Sequence, residues 1–219
     1  MVKLKNLLLE KTVRLSTMKD ANFEPGKFDK IIVFLHGYGA NGHDLISIGN
    51  AWHKELPNTM FISPNAPFEC PWGNNAYQWF ELTSISPESI GSGLNKAGPY
   101  LHGFIDHISK ENKVPHEKIF FVSFSQGTMM ALYHLCQRSS KCAGIMGYSG
   151  LLFDDENFNL SIKSKPPVRL YHGKNDEIIT FEQTINASKK LKSLNFDVDH
   201  KIKDFLGHGI DEDGFARTN

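Results

Sequence analysis

The chain has 219 residues, of which 40% are apolar and 11% aromatic, and its 24 lysines and arginines balance 24 aspartates and glutamates. The balance argues against nucleic acid or an anionic membrane as the main partner. Three cysteines without metal-ligand spacing favour reduced thiols in a cytoplasmic protein. The leucine run before Glu10 is too short for a signal-peptide core or a membrane span. Since no repeat, linker or low-complexity tract divides the chain, we expect a single domain over residues 1–219.

Short apolar runs alternate with stretches of helical periodicity along the chain. We predict strands at Leu7–Leu15, Ile31–Leu35, Met60–Ser63, Ile119–Val122, Cys142–Tyr148, Val168–Tyr171 and Val198–Phe205. We predict helices at His43–Glu55, at Leu94–Lys113, from Met129 onward and at Thr180–Leu194. This alternation predicts an α/β fold, a doubly wound and mostly parallel sheet with helices on both faces.

The stretch from 68 to 93 has no clear periodicity and is rich in aromatic residues. A segment this long without secondary structure is unusual in a compact domain and is often functional. One interpretation makes it the wall of an apolar substrate pocket, with Trp79 and Phe80 as the candidate pocket residues. The other interpretation makes it an aromatic plug that seals the core.

The helix predicted next along the chain contains Pro99, which marks either a kink or the true start of the helix. Apolar residues from Leu101 to Ile108 follow it at helical spacing. His102 and His107 lie five residues apart, so they do not share a helix face as two metal ligands would. We therefore expect both histidines to be exposed.

The most informative stretch is 119–132, where an apolar run leads into a turn centred on Ser125 and a helix-forming run begins at once. Strand, tight turn with a central serine, and helix form the layout of a nucleophile elbow. The serine hydroxyl then lies at a helix N-terminus, where free N–H groups favour developing negative charge. Gly127 is the small residue needed two positions after the serine. Ser123 stands two positions before it, where the usual pattern has glycine.

A glycine-rich loop at 36–42 follows the predicted strand at Ile31–Leu35. The carboxyl ends of strands are where sites form in open α/β sheets. The functional interpretation is an oxyanion hole, in which the N–H of Tyr38 acts together with the N–H of Gln126. A phosphate-binding loop or a plain turn is the alternative, although the loop lacks the Gly-Lys-Ser/Thr of a Walker A motif. We interpret His36 as structural.

A serine nucleophile requires an acid and a histidine base. In α/β-hydrolases the acid follows a later strand than the serine and precedes the histidine. Asp176 lies just past the strand predicted at Val168–Tyr171, in the position that the acid requires. Asp154 and Asp155 are its rivals, one strand earlier, but no tight glycine turn lies near them.

One of the ten histidines lies in a glycine-flanked turn after the last predicted strand, and this is His208. His200 falls within that strand, and His172 precedes the acid. A surface-loop histidine would be the default interpretation of such a residue in isolation. His208 is preferred as the base because it completes the ordered set.

At this point the chain resembles the phospholipase/carboxylesterase family of serine hydrolases, the group that includes acyl-protein thioesterases and small bacterial carboxylesterases. The resemblance spans about residue 30 to 210, with its blocks in the family's order. It rests on Leu35-His36-Gly37-Tyr38-Gly39, Pro64-Asn65-Ala66-Pro67, Trp79-Phe80, Phe124-Ser125-Gln126-Gly127, His172-Gly173 with Asp176, and Gly207-His208-Gly209-Ile210.

The resemblance implies an α/β-hydrolase fold with Ser125 as nucleophile, His208 as base and Asp176 as acid. It implies the backbone N–H groups of Tyr38 and Gln126 as oxyanion donors. It also implies that the chain uses no metal and no cofactor.

Two features depart from the family's pattern. Ser123 replaces a glycine, and the chain ends eleven residues after His208, where the family usually continues through a closing helix. The stretch Asp211–Arg217 could begin such a helix but is too short to cover much of the sheet. Two interpretations stay open: the sequence is a truncated one, or the protein is smaller and less stable than its relatives and lacks this closing helix.

The leading functional hypothesis is a carboxylesterase that acts on small or medium acyl esters through an acyl-enzyme intermediate. Protein-S-acyl thioesterase and lysophospholipase stay open, because they use the same residues and differ in the acyl pocket. A non-catalytic hydrolase fold that binds a small ligand or a partner is the alternative of another class. A homodimer is compatible with the sequence, but nothing in the sequence demands one.

Overall fold

The computed structural model describes the backbone of residues 12–16 and all atoms of residues 28–82 and 84–211. Residues 7–11 of the first predicted strand lie outside the described residues, as does most of the stretch Asp211–Arg217. Apart from those parts, every predicted strand is present, and its bounds differ from the prediction by two residues or fewer.

Seven strands form one sheet in the order β1-β3-β2-β6-β7-β8-β9. Strand β1 is antiparallel to β3, and the other neighbours are parallel. The strands are β1 Thr12–Ser16, β2 Lys30–Leu35, β3 Thr59–Pro64, β6 Ile119–Phe124, β7 Gly144–Tyr148, β8 Val168–Gly173 and β9 Val198–Lys203, and a separate antiparallel pair is formed by β4 Phe68–Glu69 and β5 Tyr77–Gln78. The predicted doubly wound, mostly parallel sheet is confirmed.

Five α-helices cover this sheet within the described residues. They are α1 Gly42–Trp52, α2 Pro87–Asn112, α3 Gln126–His134, α4 Glu156–Ser161 and α5 Glu182–Ser193, with single 3₁₀ turns at His116–Lys118 and Leu135–Gln137. Helix α1 begins with a capping box, in which the side chains of Asn41 and Asp44 each accept a hydrogen bond from the backbone N–H of the other residue. None of these helices is both long enough and apolar enough to cross a membrane.

The core lies on both faces of the sheet, because successive side chains of a strand point to opposite sides. Val33 and Leu35 of β2 face the cluster that contains α2, α3 and α5. Ile32 and Phe34 of the same strand face the smaller cluster that contains α1. A continuous apolar strand such as β2 is therefore buried on both sides, as its sequence predicts.

Helix α2 begins seven residues earlier than predicted, at Pro87 rather than at Leu94. The hydroxyl of Ser86 caps it by accepting from the N–H of Ser89 at 3.2 Å, and proline suits the first helical position because its missing N–H would be unpaired there. Pro99 lies inside the helix, on its exposed side, and neither starts nor ends it. The expectation that 68–93 is irregular throughout is corrected by this helix start and by the β4–β5 pair.

Gly93 of α2 lets the helix pack against Phe80. A Cβ atom at position 93 would lie 2.3 Å from Cδ2 of Phe80, which is 1% exposed and has little room to move. We expect Gly93→Ala to lower the free energy of unfolding by up to about 2 kcal/mol, because an overpacking cost of about 1–3 kcal/mol is offset by only about 1 kcal/mol from the better helix propensity of alanine. Urea denaturation measures the change. Ser92→Ala, at an exposed position of the same helix, is the matched control, and a Gly93→Ala protein as stable as this control would contradict the packing argument.

Candidate active site

Ser125 lies at the sharp turn between β6 and α3. Its φ of 51° and ψ of −115° are a backbone conformation that costs a non-glycine residue about 1–3 kcal/mol. Its N–H donates to the carbonyl of Tyr148 on the neighbouring strand at 2.8 Å, and its own carbonyl accepts from the N–H of Thr128 at 2.9 Å. The hydroxyl makes no helix-capping bond. The turn is thus fixed by backbone hydrogen bonds, and the hydroxyl is left for other partners.

Small residues stand on both sides of this turn, at Gly127 and Ser123, and each fits its position for a different physical reason. A Cβ atom at Gly127 would lie 2.2 Å from the carbonyl oxygen of Leu35, so only glycine lets helix α3 approach strand β2 this closely. Ser123 is fully buried, and its hydroxyl donates to the carbonyl of Met146 at 3.2 Å. The hydroxyl oxygen of Thr128 lies 3.2 Å from Oγ of Ser123. The serine that replaces the expected glycine is therefore hydrogen-bonded within the elbow.

His208 connects Ser125 with Asp176. Its Nε2 lies 3.1 Å from Oγ of Ser125, and its Nδ1 lies 2.7 Å from Oδ2 of Asp176. An ionised carboxylate only accepts hydrogen bonds, so Nδ1 carries the proton and Nε2 of the neutral ring accepts from the serine hydroxyl. The ring of Phe124 packs against the imidazole at a centroid distance of 4.9 Å and helps to hold its plane.

The carboxylate of Asp176 is buried and has donors on both oxygens. Oδ1 accepts from the backbone N–H groups of Ile178 and Ile179, each at 2.9 Å. Oδ2 accepts from His208 and lies 3.0 Å from Nε2 of His172. Burial raises the pKa of Asp176, but the hydrogen bonds from Ile179, His208 and Ile178 outweigh burial, and the net pKa is lowered. Asp176 is therefore held as a carboxylate.

His172 is the site residue that the sequence reasoning missed. Its Nε2 lies 2.8 Å from the carbonyl of Ile179 as well as 3.0 Å from Asp176, and both of these are acceptors, so Nε2 carries a proton. Its Nδ1 lies 2.7 Å from Oγ1 of Thr184. A signal was present in the sequence, since this histidine lies four residues before the acid, at the last position but one of strand β8.

The rival residues are engaged elsewhere. Asp154 forms an ion pair with Lys190 at 2.8 Å, and Asp155 caps helix α4 by accepting from the N–H of Phe158 at 2.8 Å. His200 lies 2.9 Å from Oγ of Ser188. The structure therefore brings Ser125, His208 and Asp176 together, whereas Asp154, Asp155 and His200 make their contacts elsewhere.

The two expected oxyanion donors lie on the two loops beside Ser125. Gln126 is the first residue of α3, and Tyr38 follows strand β2. Among the described residues, no protein acceptor takes a hydrogen bond from the N–H of either one. The N–H of Gly39 is instead paired with the carbonyl of Tyr77 at 2.9 Å, and the N–H of Tyr77 with the carbonyl of Ala40 at 2.9 Å.

Trp79 and Phe80 are buried, with 0% and 1% of their surface exposed, so they offer no wall to a substrate pocket and the plug interpretation replaces that expectation. Their backbone groups bind the side chain of Gln126, whose Oε1 accepts from the N–H of Trp79 at 2.8 Å and whose Nε2 donates to the carbonyl of Phe80 at 2.7 Å. The indole N–H of Trp79 donates to the carbonyl of His36 at 2.9 Å. The plug thus joins the loops that carry Tyr38 and Gln126.

His36 is fully buried beneath the first of these loops. Its Nδ1 donates to the carbonyl of Gly37 at 2.7 Å, and its Nε2 accepts from the N–H of Ala66 at 2.9 Å. Burial lowers the pKa of His36 to about 4, against a smaller raising effect of the Gly37 bond. The neutral ring therefore fixes the backbone at the start of the loop, in agreement with its structural interpretation.

The two other histidines for which exposure was expected are only half-exposed. His107 pairs with Glu111 at 3.0 Å, one turn further along α2. His102 faces Arg138, with its Nδ1 3.2 Å from Nη1 of the guanidinium. The expectation is corrected because His107 pairs with a side chain of its own helix, and His102 packs against Arg138 from beyond the end of α3.

A serine on a strand–turn–helix elbow, with a histidine and a carboxylate from later loops of a mostly parallel sheet, is the arrangement of an α/β-hydrolase. The sequence model of the Phospholipase/Carboxylesterase family matches residues 24–218. The chain therefore belongs to the phospholipase/carboxylesterase family, and the resemblance seen in its motifs is confirmed.

Individual relatives agree with this assignment. The crystal structure of esterase PE8 has a TM-score of 0.83 and 35% sequence identity, and the match covers 87% of this chain and 90% of that one. Acyl-protein thioesterase 1 of Gibberella zeae is 28% identical over 194 residues, which is 81% of this chain and 82% of the relative. Esterase YpfH of Escherichia coli is 24% identical over 183 residues, covering 83% of this chain and 77% of the relative. The chain is a carboxylic ester hydrolase.

The buried neutral ring of His36 makes stability depend on pH. The unfolded chain protonates this histidine near pH 6.5 and the folded protein only near pH 4, so the unfolded state binds more protons between these values and stability falls as the pH falls from 6.5 to 4. His36 contributes about 2 kcal/mol to the loss of unfolding free energy between pH 7 and pH 5. We expect His36→Gln to remove this part of the pH dependence.

Urea denaturation at pH 7 and pH 5 tests this expectation. His43→Gln, on the exposed face of helix α1, is the matched control and should keep the pH dependence of the original protein. A His36→Gln protein that loses as much stability on acidification as the control would show that another group is responsible.

Proposed function

We propose that the chain hydrolyses carboxylic esters of small to medium acyl chains through an acyl-enzyme formed on Ser125. One observation carries the proposal, namely the continuous hydrogen-bonded array from Oγ of Ser125 through His208 to Asp176, with distances of 3.1 and 2.7 Å. In this array the serine proton faces the unprotonated nitrogen of the imidazole, as a general base requires.

The first step forms the acyl-enzyme. Oγ of Ser125 attacks the ester carbonyl while Nε2 of His208 takes its proton, and the tetrahedral intermediate then collapses as the same nitrogen gives that proton to the departing alcohol. Asp176 stays ionised and stabilises the imidazolium, which agrees with its lowered pKa. In the second step water replaces the alcohol, His208 takes the water proton, and Ser125 regains its own when the acid leaves.

The backbone N–H groups of Tyr38 and Gln126 are proposed to hold the oxyanion of both tetrahedral intermediates. Their lack of a protein acceptor among the described residues supports this role, because both donors are available to a substrate oxygen. The N-terminus of α3 adds its partial positive charge at the same place. Loss of one such donor typically costs roughly 10²–10³ in rate.

The acyl group is proposed to contact the rim beside the glycine-rich loop. Trp72 is 75% exposed and packs edge-on against Tyr38, with ring centroids 4.8 Å apart. This exposed indole offers an apolar surface next to the proposed oxyanion donors. An exposed surface of this size suits an acyl chain of modest length. The alternatives are acyl-protein thioesterase and lysophospholipase activities. The relative from Gibberella zeae is named an acyl-protein thioesterase.

We infer a cytoplasmic protein that works as a single α/β-hydrolase domain. All three cysteines are free thiols in the structure and all are buried, which supports a reducing compartment. Burial raises the pKa of Cys136 and of Cys142 to about 12, so neither is a reactive thiolate. The absence of nucleic-acid partners and the option of a homodimer stay predictions.

Labelling with a fluorophosphonate probe tests the nucleophile. We expect one adduct per chain by intact mass, and we expect Ser125→Ala to lose both the adduct and ester hydrolysis, because among the described residues no other hydroxyl is hydrogen-bonded to His208. Ser123→Ala is the matched control, since it removes a buried hydroxyl from the same turn and should keep the adduct. An adduct on folded Ser125→Ala, or none on the folded original protein, would overturn the assignment and favour the non-catalytic alternative.

A series of p-nitrophenyl esters tests the acyl group. We expect kcat/KM to be greatest between the acetyl and octanoyl esters and to fall for palmitoyl esters, because the proposed acyl contact is an exposed rim. Matched palmitoyl thioester and lysophospholipid substrates serve as the comparison. A maximum with either of these long-chain substrates would replace the proposal by the thioesterase or the lysophospholipase reaction.

His172 is proposed to position Asp176. We expect His172→Leu to lower kcat by about tenfold with little change in KM, because a buried carboxylate loses one hydrogen bond to a charged group. His172→Gln keeps a side-chain N–H and should recover part of the loss. Steady-state kinetics of both variants, beside their thermal unfolding, separate the effects. An unchanged kcat in folded His172→Leu would show that His172 does not position Asp176, and a loss of thermal stability alone would show a structural role.

A further inference from the structure

A second group of polar side chains lies beyond the end of helix α3 that is opposite Ser125. The helix rises about 1.5 Å per residue over its nine residues, so its two ends are roughly 13 Å apart. The group surrounds a cavity of about 640 Å³. Small-molecule sites have volumes of about 300–1,000 Å³. We call it the Arg138 cavity, and the lining residues used below are His102, Asp106, His116, Arg138 and Lys163.

Arg138 is held in the wall of this cavity by three side chains. Its Nη2 forms an ion pair with Asp106 and lies 3.2 Å from Nε2 of His116. Its Nη1 lies 3.2 Å from Nδ1 of His102. Only 11% of the side chain is exposed, so the guanidinium is fixed rather than freely solvated.

The guanidinium determines which nitrogens of the two histidines carry protons. Because arginine only donates, Nδ1 of His102 and Nε2 of His116 act as acceptors, and each neutral ring carries its proton on the other nitrogen. Burial, followed by the charge of Arg138, lowers the pKa of His102 to about 4 and also lowers the pKa of His116. Among the described residues, none accepts a hydrogen bond from Nε2 of His102 or from Nδ1 of His116.

The charges of the lining do not balance. Arg138 and Lys163 carry two positive charges and Asp106 one negative charge, which leaves one positive charge in excess. Lys163 is exposed and forms no ion pair with a described carboxylate. Like the charge of Arg138, the positive charge of Lys163 lowers the pKa of His102. Gln137 and three serines, Ser139, Ser140 and Ser161, complete the lining. The hydroxyl of Ser161 donates to the carbonyl of Phe158 at 2.8 Å, whereas Ser139, Ser140 and the amide of Gln137 add neutral donors to the two cations.

We propose that the Arg138 cavity binds the phosphate group of a small molecule, at a site separate from Ser125. A phosphate group carries up to two negative charges, and its three acceptor oxygens point in different directions. These oxygens match the donors of the cavity, which come from α2, from the loop after α3 and from the segment after α4. A guanidinium and an ammonium beside hydroxyl groups are a common phosphate-binding set. Free phosphate, a phosphomonoester and a lipid headgroup share this chemistry.

The binding of inorganic phosphate to the full chain tests the site. In calorimetric titrations at constant ionic strength, kept by chloride, we expect saturable binding that Lys163→Gln weakens about tenfold, the loss typical of one hydrogen bond to a charged group. Lys165→Gln, which removes an exposed charge two residues away and outside the lining, is the matched control and should bind as the original chain does. Ser125→Ala should bind phosphate as the original chain does, so the result for this site does not depend on the proposed reaction.

Nuclear magnetic resonance of the imidazole C–H groups locates the bound anion. We expect phosphate to shift the signals of His102 and His116 and to leave those of exposed His43 in place. Equal weakening by Lys163→Gln and Lys165→Gln, or unchanged His102 and His116 signals at saturation, would overturn the proposal. Glycerol 3-phosphate and vesicles with or without phosphatidic acid identify the source, and a Lys163-dependent response to either one supports the site.

Discussion

The constraint on which the site depends is the backbone of Ser125, which has a φ of 51° although the residue is not glycine. A strain of about 1–3 kcal/mol persists only where the surroundings over-determine it. Here the strand carbonyl of Tyr148 holds the N–H of Ser125, and the missing Cβ of Gly127 lets the helix lie close to the carbonyl of Leu35. The same strain lifts the hydroxyl out of the turn toward His208. The strained turn thus costs stability and aligns the hydroxyl of Ser125, a residue that is 8% exposed, with the imidazole of His208.

A second constraint joins the two loops beside this serine. The aromatic segment at 77–80 has its backbone paired with Gly39 and Ala40 on one side and with the amide of Gln126 on the other. Hydrogen bonds thus connect both loops with the segment that carries the buried ring of Trp79. Hydrogen-bond donors that are fixed before the reaction need no reorganisation during it, which is why preorganised N–H groups stabilise an oxyanion more than water does.

The sequence predicted the sheet well because short, continuous apolar runs are typical of central strands that are covered on both faces. It predicted Ser125, Asp176 and His208 as candidates because each follows a strand, where sites form in such sheets. It failed where tertiary contacts decide. The start of α2 is set by the Ser86 cap and Pro87 rather than by apolar periodicity. The sequence does not show which aromatic residues are exposed and which are buried. The pattern therefore favoured Trp79, which is buried, as a pocket residue, and it did not single out Trp72, which is exposed.

The fold also decides the charge state of each buried titratable group. His36 and His134 are kept neutral because burial lowers the pKa of each to about 4, whereas hydrogen bonds lower the pKa of Asp176 in spite of burial and keep it ionised. His208 is less buried than these groups, since 16% of its side chain is exposed and its ring is held by one carboxylate and one hydroxyl. Among the described residues, its imidazole is the one that is hydrogen-bonded to the hydroxyl of Ser125, which is why we propose it as the base.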